Sequence, residues 1–243
     1  MSATLEVGVA GHALWNPAVA ARPQPAILPP NERRRAPDSV AVALEVAQAA
    51  CINAGRNPAQ LPTVFASTYG DLATTDYMCG TLARAPTTLS PTKFHNSVHN
   101  AAAGYWTIAT GCQEPYCALG AGVYSFAAGL FAAAVQVCAD QCEVLLVAYD
   151  IDARGPLAQV AGSRGMLGAA LVLTPRRGPE DSGLQLTVSS GGSDSPCGAN
   201  AMAACLPLIA ALQSEVAAVL SLPLGPESQL QIRVQRGTAK KSY

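Results

Sequence analysis

One stretch of the chain, residues 90–150, limits most strongly what the protein can fold into. It contains the apolar run ALGAGVYSFAAGLFAAAVQV, followed by EVLLVAYD. The run predicts a short strand, a corner at Gly120 and Gly122, and a helix over Ser125–Cys138, because glycine turns without a Cβ clash. This helix has almost no polar face, so we expect it to be buried on all sides. A strand–elbow–helix–strand unit of this kind is a common mount for a nucleophile.

The rest of the chain alternates predicted strands and helices. Apolar runs predict strands over residues 5–14, 61–68, 115–119, 144–149 and 165–174. Helical spacing predicts helices over residues 38–54, 70–84, 100–110 and 199–220. Period-two alternation at Leu184–Val188 and Leu230–Val234 predicts two strands with one buried face each. We therefore expect a single α/β domain, residues 1–243, in layers around a mostly parallel central sheet.

Charge and cysteine usage exclude several classes of function. The 15 basic and 16 acidic residues leave no electrostatic footprint for nucleic acid or an anionic membrane. Residues 118–139 are uncharged over the length of a spanning helix, but they are rich in Gly and Ala and lack basic anchors, so we expect no membrane span. The N-terminus does not read as a signal peptide. Eight cysteines without a CxxC pair indicate reduced thiols in a cytoplasmic protein.

Two motifs connect the chain to a known family. The run SPTxFxxSVHNAxxGxW at Ser90–Trp106 and the corner before SFAAGLFAAA resemble the short ketosynthase-like N-terminal family of the thiolase-like superfamily. That family occurs in gene clusters for aryl polyenes and related pigments. The resemblance covers about residues 5–175. It implies a thiolase-like layered fold with a complete N-terminal ketosynthase-like half and a truncated second half, in which residues 183–236 form a reduced β-α-β unit.

The elbow departs from the pattern of an active ketosynthase, which carries cysteine there, typically as T-A-C-x-S/T. Counting back about twenty positions from Glu143 places the nucleophile position at Val123, and a slip of one residue gives Gly122 or Tyr124. None of these side chains is the nucleophile that the chemistry needs. The resemblance together with this departure predicts a chain without a catalytic residue.

The histidines lead to the same prediction. Ketosynthases take two histidines from their second half to stabilise an enolate, whereas His12, His95 and His99 all precede the elbow. His95 and His99 have the i,i+4 spacing of zinc ligands on a helix, but they lack the HExxH glutamate and a third ligand, so we predict no metal. We expect His99 and Asn100 to satisfy backbone groups at the start of the helix over 100–110. With no phosphate loop or dinucleotide fingerprint, no cofactor is expected.

These departures suggest an inactive subunit comparable to the chain-length factors of type II polyketide systems. The resemblance implies a heterodimer with a full-length β-ketoacyl synthase, which supplies the catalytic residues and links this chain indirectly to acyl carrier protein. In ketosynthase dimers the strand before the elbow pairs across the two-fold axis. That strand maps onto Pro115, Tyr116, Cys117, Ala118 and Leu119. The helix over 70–84 would then face the partner's acyl tunnel, with Tyr77 and Thr81 either lining the tunnel or packing in the interface.

Two alternatives stay open at the level of sequence. One is a stand-alone thiolase-like acyltransferase or hydrolase that uses Cys117 or Cys112 as its nucleophile. The other is a homodimeric acyl-binding scaffold without a ketosynthase partner. Cysteine reactivity tests the first alternative, and co-purification with a ketosynthase tests the second.

Overall fold

A computed structural model of the chain describes residues 4–18, 22–159, 161, 163–178, 182–191, 199–214 and 216–236. Its strands are β1 (Thr4–Trp15), β2 (Thr63–Ala66), β3 (Tyr116–Leu119), β4 (Val144–Asp150), β5 (Leu167–Pro175), β6 (Gly183–Ser190), β7 (Ala218–Gly225) and β8 (Ser228–Gln235). Its α-helices are α1 (Pro30–Arg35), α2 (Asp38–Ala54), α3 (Leu72–Arg84), α4 (Pro91–Asn96), α5 (Ala101–Thr110), α6 (Ser125–Asp140) and α7 (Leu206–Ser214).

The strands form one mixed sheet in the order β3-β2-β4-β5-β1-β6-β8-β7. Only the pairings of β2 with β3 and with β4 are parallel in this sheet, and the other neighbours are antiparallel. The prediction of a mostly parallel sheet was therefore wrong. Continuous apolar strands indicate burial on both faces, and β4 and β5 have that burial. Strand direction depends instead on the connections, because a parallel neighbour needs a long crossover.

Alternate residues of the central strands face two separate hydrophobic layers. In β4, Val144, Leu146 and Ala148 belong to the core that contains α6 and α7. The intervening Leu145 and Val147 belong to the core that contains α2 and α5. The sheet is thus covered by helices on both faces, which gives three layers and places the ends of β2, β3 and β4 side by side.

Most predicted boundaries agree with the structure, and α7 shows where the prediction was wrong. Helix α2 spans the predicted residues and ends at Gly55, which is left-handed with φ 62°. The predicted helix over 199–220 ends at Ser214, and the chain continues into β7. In β7, Leu220 pairs with Ile232 of β8. Pairing with β8 makes residues 218–225 a strand rather than a continuation of the helix. The sequence alone does not distinguish the two, because an apolar stripe fits either a buried helix or a half-buried strand.

Helix α6 forms part of the outer layer. Phe126, Leu130 and Val137 are fully buried against the sheet, whereas Val135 is 40% exposed. The prediction of burial on all sides was therefore wrong for this face. Within the described residues, Gly122–Asp140 is the one helix that is long and apolar enough to cross a membrane. Its buried face belongs to the protein core.

Candidate functional site

The elbow, defined here as residues Gly120–Tyr124, lies where the parallel strands β2, β3 and β4 end. Ala66, the last residue of β2, pairs with Leu119 of β3 and with Ala148 of β4. A Cβ at Gly120 would lie 3.0 Å from the carbonyl oxygen of Ser67. Only glycine allows the elbow to approach the end of β2 so closely.

The first residue of α6 braces the elbow. The Ser125 hydroxyl accepts a hydrogen bond from the Ala121 N–H (2.9 Å) and donates one to the Gly122 carbonyl (2.7 Å). The side chain is fully buried. Gly122 takes a left-handed φ of 56°, which favours glycine. Ser125 therefore holds the turn in shape and is not presented as a nucleophile.

Below the elbow, the carboxylate of Asp150 ties together three segments of the chain. Its Oδ1 accepts from the Ser67 hydroxyl (2.8 Å) and from the Thr68 N–H (2.8 Å). Its Oδ2 accepts from the hydroxyls of Thr68 and Ser163, the latter at 2.6 Å. Ser163 in turn accepts from the Ala201 N–H (3.0 Å). This buried network joins the end of β2, the end of β4 and the segment before α7, and sequence reasoning missed it because its members are far apart in the chain.

The three candidate nucleophile positions all lie in the elbow. Gly122, Val123 and Tyr124 are each half-buried between β3 and α6. Residues 120–124 thus form a turn braced by Ser125, and the three positions predicted for the nucleophile hold a glycine, an aliphatic side chain and a phenol. None of the three residues carries a thiol, which is the nucleophile expected at this position.

Seven cysteines lie within the described residues, and all seven are free. Burial raises the pKa of Cys51 and of Cys205 to about 12, which suppresses the reactive thiolate. Cys112 is buried, and its thiol donates to the Leu61 carbonyl (3.5 Å). Cys117 in β3 is exposed. Of the two cysteines that the alternative enzyme hypothesis names, only Cys117 is accessible.

His95 and His99 do not share a helix face, because α4 ends at Asn96. The ring of His95 lies 5.9 Å from that of Tyr105, centroid to centroid. The His99 ring packs against Gly70 and Gly120. Within the described part of the chain, no group of three or more His, Cys, Asp or Glu residues could hold a metal ion.

The expected role of Asn100 at the start of α5 was wrong. Asn100 makes no side-chain cap to α5 and instead donates to the Tyr116 hydroxyl (3.0 Å) on β3. The structure describes no hydrogen bond from His99 to the start of α5 either. Residues 97–100 therefore link α4 to the edge of the sheet, and their side chains do not cap α5.

Strand β3 is an edge strand, since it pairs with β2 and stands first in the order of the sheet. Tyr116 is 45% exposed, and Cys117 is also exposed. Large apolar side chains on neighbouring segments are exposed as well, among them Phe94, Val98 and Ile108. Exposed backbone and exposed apolar side chains together are typical of a surface that pairs with another chain. Sequence reasoning identified the strand but missed these apolar neighbours.

Tyr77 and Thr81 line one groove of about 790 Å³ beside α3. The Thr81 hydroxyl donates to the Tyr77 carbonyl (2.9 Å), and the Lys93 ammonium lies 5.6 Å from the Tyr77 ring. Five basic side chains rim this groove, which we call the basic groove: Arg34, Arg35, Arg84, Lys93 and Arg154. Tyr77 and Thr81 thus line the same groove, as predicted neighbours on α3. The lining of this groove is largely polar, and it includes none of the elbow residues.

A family model described as the N-terminal domain of beta-ketoacyl synthase matches residues 10–235. No curated protein sequence matches the chain.

Solved structures give the fold. A ketosynthase (ApeO) in complex with its chain length factor (ApeC) from Xenorhabdus doucetiae is 24% identical with a TM-score of 0.67, covering 85% of this chain and 81% of that one. A type II PKS acyl-carrier protein in complex with its ketosynthase (AntDE:AntF) is 10% identical with a TM-score of 0.74, covering 96% and 99%. The ishigamide ketosynthase/chain length factor is 16% identical with a TM-score of 0.58, covering 86% and 73%. The predicted thiolase-like layered α/β fold is confirmed.

Proposed function

The chain belongs to the β-ketoacyl synthase N-terminal domain family, and from this premise we propose that it is a non-catalytic subunit of the chain-length-factor type. It pairs with an active full-length β-ketoacyl synthase as a heterodimer and helps to form the acyl tunnel in type II polyketide, aryl polyene or fatty-acid-like biosynthesis. The observation that carries this proposal is the elbow, which is formed and braced but has no thiol at Gly122, Val123 or Tyr124.

Loss of the nucleophile alone would disable condensation, because no covalent acyl intermediate forms without it. The three histidines of this sequence, His12, His95 and His99, all precede the elbow. In the proposed complex the ketosynthase supplies the nucleophile and the donors that stabilise the enolate, and removing one such positioned donor from an active site costs about 10²–10³ in rate.

The edge strand β3 supports the pairing. A strand of the partner that aligns with β3 would continue the sheet and satisfy its free backbone groups. The exposed side chains of Tyr116 and Ile108 would then be covered by apolar contacts. Acyl carrier protein would reach this chain through the ketosynthase. The seven free cysteines of the described residues support a cytoplasmic location.

Co-expression with the ketosynthase encoded nearest to the gene tests the pairing. We expect the two chains to co-purify, and Tyr116→Glu to abolish the complex, because a charge would be buried in the interface. Val219→Glu is the matched control, since Val219 is 71% exposed on β7 at the opposite edge of the sheet. Equal yields of complex with both variants would remove β3 from the interface.

Condensation assays test the absence of catalysis. The heterodimer should join malonyl and acyl thioesters, and the purified chain alone should not. Condensation by the isolated chain, free of any ketosynthase, would overturn the proposal.

The exposure of Cys117 favours one second candidate, a stand-alone acyltransferase or hydrolase. Rapid modification of Cys117 by iodoacetamide, with loss of thioester turnover by the isolated chain, would support this candidate. Cys117→Ala is the matched variant, since it should abolish that turnover if Cys117 is the nucleophile and change nothing if the chain is a silent subunit.

A further inference from the structure

A β-bulge in β1 decides which face of the sheet His12 occupies. The register with β5 shifts between Val9 and Gly11, so Ala10 is an extra residue in the strand. An extra residue reverses the alternation of faces that follows it. His12 pairs with Leu171, which belongs to the core that contains α6 and α7. The bulge therefore places His12 on the same face as Val9, whereas an unbroken strand would place the two on opposite faces.

Two contacts with the end of α2 hold this bulge in place. A Cβ at Gly11 would lie 2.5 Å from the backbone nitrogen of Ala54, so only glycine lets β1 pack so closely on the helix. The side-chain amide of Asn53 donates a hydrogen bond to the His12 carbonyl (2.9 Å). These contacts fix the backbone that carries the His12 ring.

His12 lines a groove of about 370 Å³ between β1, β6, β8 and the end of α7, which we call the bulge groove. Its volume lies in the range of about 300–1,000 Å³ that holds small organic ligands. Five apolar side chains form much of its lining: Val9, Ala211, Leu212, Val216 and Val234. No carboxylate of the described residues lines it. The adjoining groove contains Glu143, which forms an ion pair with Arg56 (2.6 Å).

The His12 side chain is available to a ligand. It is half-buried, and it forms no hydrogen bond or ion pair within the part of the chain that the structure describes. Burial lowers the pKa of His12, so the ring is largely neutral at pH 7. A neutral imidazole offers one N–H donor and one acceptor. A polar group of this kind on an otherwise apolar wall fixes the orientation of a bound molecule.

Arg236 supplies the positive charge of the bulge groove. It has other interactions, but a guanidinium has five N–H donors and can serve more than one acceptor. Hydrogen bonds from arginine to a carboxylate are charge-assisted and strong. One cation beside five apolar side chains matches a ligand with a single negative charge and an apolar body.

We propose that the bulge groove binds a small apolar monocarboxylate. Its carboxylate accepts hydrogen bonds from Arg236 and His12, and its hydrocarbon part packs against Leu212 and Val216. The groove is separate from the elbow. Val9 pairs with Leu173, which pairs with the first residue of β4, whereas the elbow lies where β4 ends. The proposal therefore does not depend on pairing with a ketosynthase.

Isothermal titration calorimetry on the full chain, alone or in its purified complex, tests the class of ligand. The probes are benzoate, benzamide and phenol, which have similar rings and differ in charge and in hydrogen-bonding groups. We expect benzoate to bind, with affinity falling as salt is raised, and the two neutral probes to bind at least tenfold more weakly. Benzamide or phenol that binds as tightly as benzoate would refute the carboxylate assignment.

Arg236→Ala should weaken the binding of benzoate about tenfold, the loss of one charge-assisted hydrogen bond. Arg233→Ala is the matched control, because Arg233 is exposed on β8 outside the groove and the variant loses the same charge. Arg236 is exposed as well, so neither variant removes a core side chain. Equal weakening by the two variants would refute a specific site.

His12→Leu tests the part played by the bulge. It removes a hydrogen-bond donor and should weaken the binding of benzoate about threefold. His95→Leu, on α4 and outside the groove, should leave it unchanged. Unchanged binding in His12→Leu would overturn the role of His12.

Nuclear magnetic resonance of the histidine rings locates the ligand. The sequence has three histidines, so carbon-labelled imidazoles give three signals, and His12→Gln identifies the signal of His12 by its loss. Benzoate should shift this signal and leave those of His95 and His99 in place. Equal shifts of all three signals, or no shift at His12, would refute the site. None of these measurements requires a ketosynthase, so they fail separately from the proposed function.

Discussion

Gly104 in α5 and Gly129 in α6 look alike in the sequence, but the structure predicts opposite effects of replacing them with alanine. A Cβ at Gly104 would have no neighbouring heavy atom within 4 Å outside its own helix. Alanine in a helix interior is favoured over glycine by about 1 kcal/mol. Gly104→Ala should therefore raise the free energy of unfolding by up to about 1 kcal/mol.

At Gly129 the same methyl group would collide with the sheet. Its Cβ would lie 2.7 Å from the Cβ of Ala66 and 3.2 Å from a methyl group of Leu146. The Cβ of Ala66 is attached directly to the β2 backbone, so relief requires α6 and the sheet to separate. Overpacking of this kind costs about 2–3 kcal/mol, which outweighs the helix-propensity gain of about 1 kcal/mol. Gly129→Ala should destabilise by about 1–2 kcal/mol.

Urea unfolding of the two variants and the parent chain measures this difference. The two alanine variants should differ by about 2–3 kcal/mol with similar m-values, because both expose the same surface on unfolding. In a chain of this size, destabilisation by 1 kcal/mol lowers the melting temperature by about 2–4 °C. If Gly129→Ala proves as stable as Gly104→Ala, the close packing of α6 on β2 is incorrect.

Three further predictions concern the hydrogen-bond network of Asp150, the reactivity of the cysteine thiols, and Tyr77. Asp150→Ala should lower the free energy of unfolding, measured with urea, by about 3–5 kcal/mol, because buried hydroxyls and an N–H lose their acceptor. Asp150→Asn keeps an acceptor oxygen and should lower it by about 1–2 kcal/mol. Equal losses in the two variants would count against the hydrogen-bond network of Asp150. Iodoacetamide at pH 8 should modify the exposed Cys79 well before the buried Cys51 and Cys205. The pKa of each buried thiol is raised to about 12, so little of the reactive thiolate is present at pH 8. Equal rates of labelling at the three cysteines, followed by mass spectrometry, would contradict this prediction. In the ketosynthase complex, Tyr77→Ala should lengthen and Tyr77→Trp shorten the product, since bulk limits what a tunnel holds, and unchanged products would remove Tyr77 from the tunnel.

The parts of the fold that the sequence predicts are those governed by local periodicity and by glycine. Alternation at Leu184–Val188 and Leu230–Val234 correctly predicts two strands, and the predicted inward residues are buried except Val188, which is half-buried. The predicted helix over 70–84 corresponds to α3, which Asp71 caps by accepting a hydrogen bond from the Thr74 N–H (2.6 Å). The corner at Gly120 and Gly122 was likewise predicted before α6, because a tight turn leaves a residue-level signal.

The roles assigned to particular residues depend on partners that periodicity does not encode. The position of the nucleophile at Val123 stays a prediction, because it depends on the register of this chain against the family pattern. The tunnel roles of Tyr77 and Thr81 stay predictions, because they concern a second protein. The basic groove combines side chains from segments with no sequence motif in common. Asn100 looked like a helix cap but bonds to Tyr116, sixteen residues away on the sheet edge.

By itself, the sequence determined most of the strands and helices, the alternation of buried and exposed residues in β6 and β8, and the absence of cysteine from residues 120–124. Tertiary structure alone decided the direction of the strands, the choice between α7 and β7, and the polar network around Asp150. Ser67 and Asp150 are 83 residues apart in the chain, and a hydrogen bond over that separation leaves no periodic signal. Burial has a local pattern because each element repeats its own geometry, whereas contacts between elements exist only once the sheet has assembled.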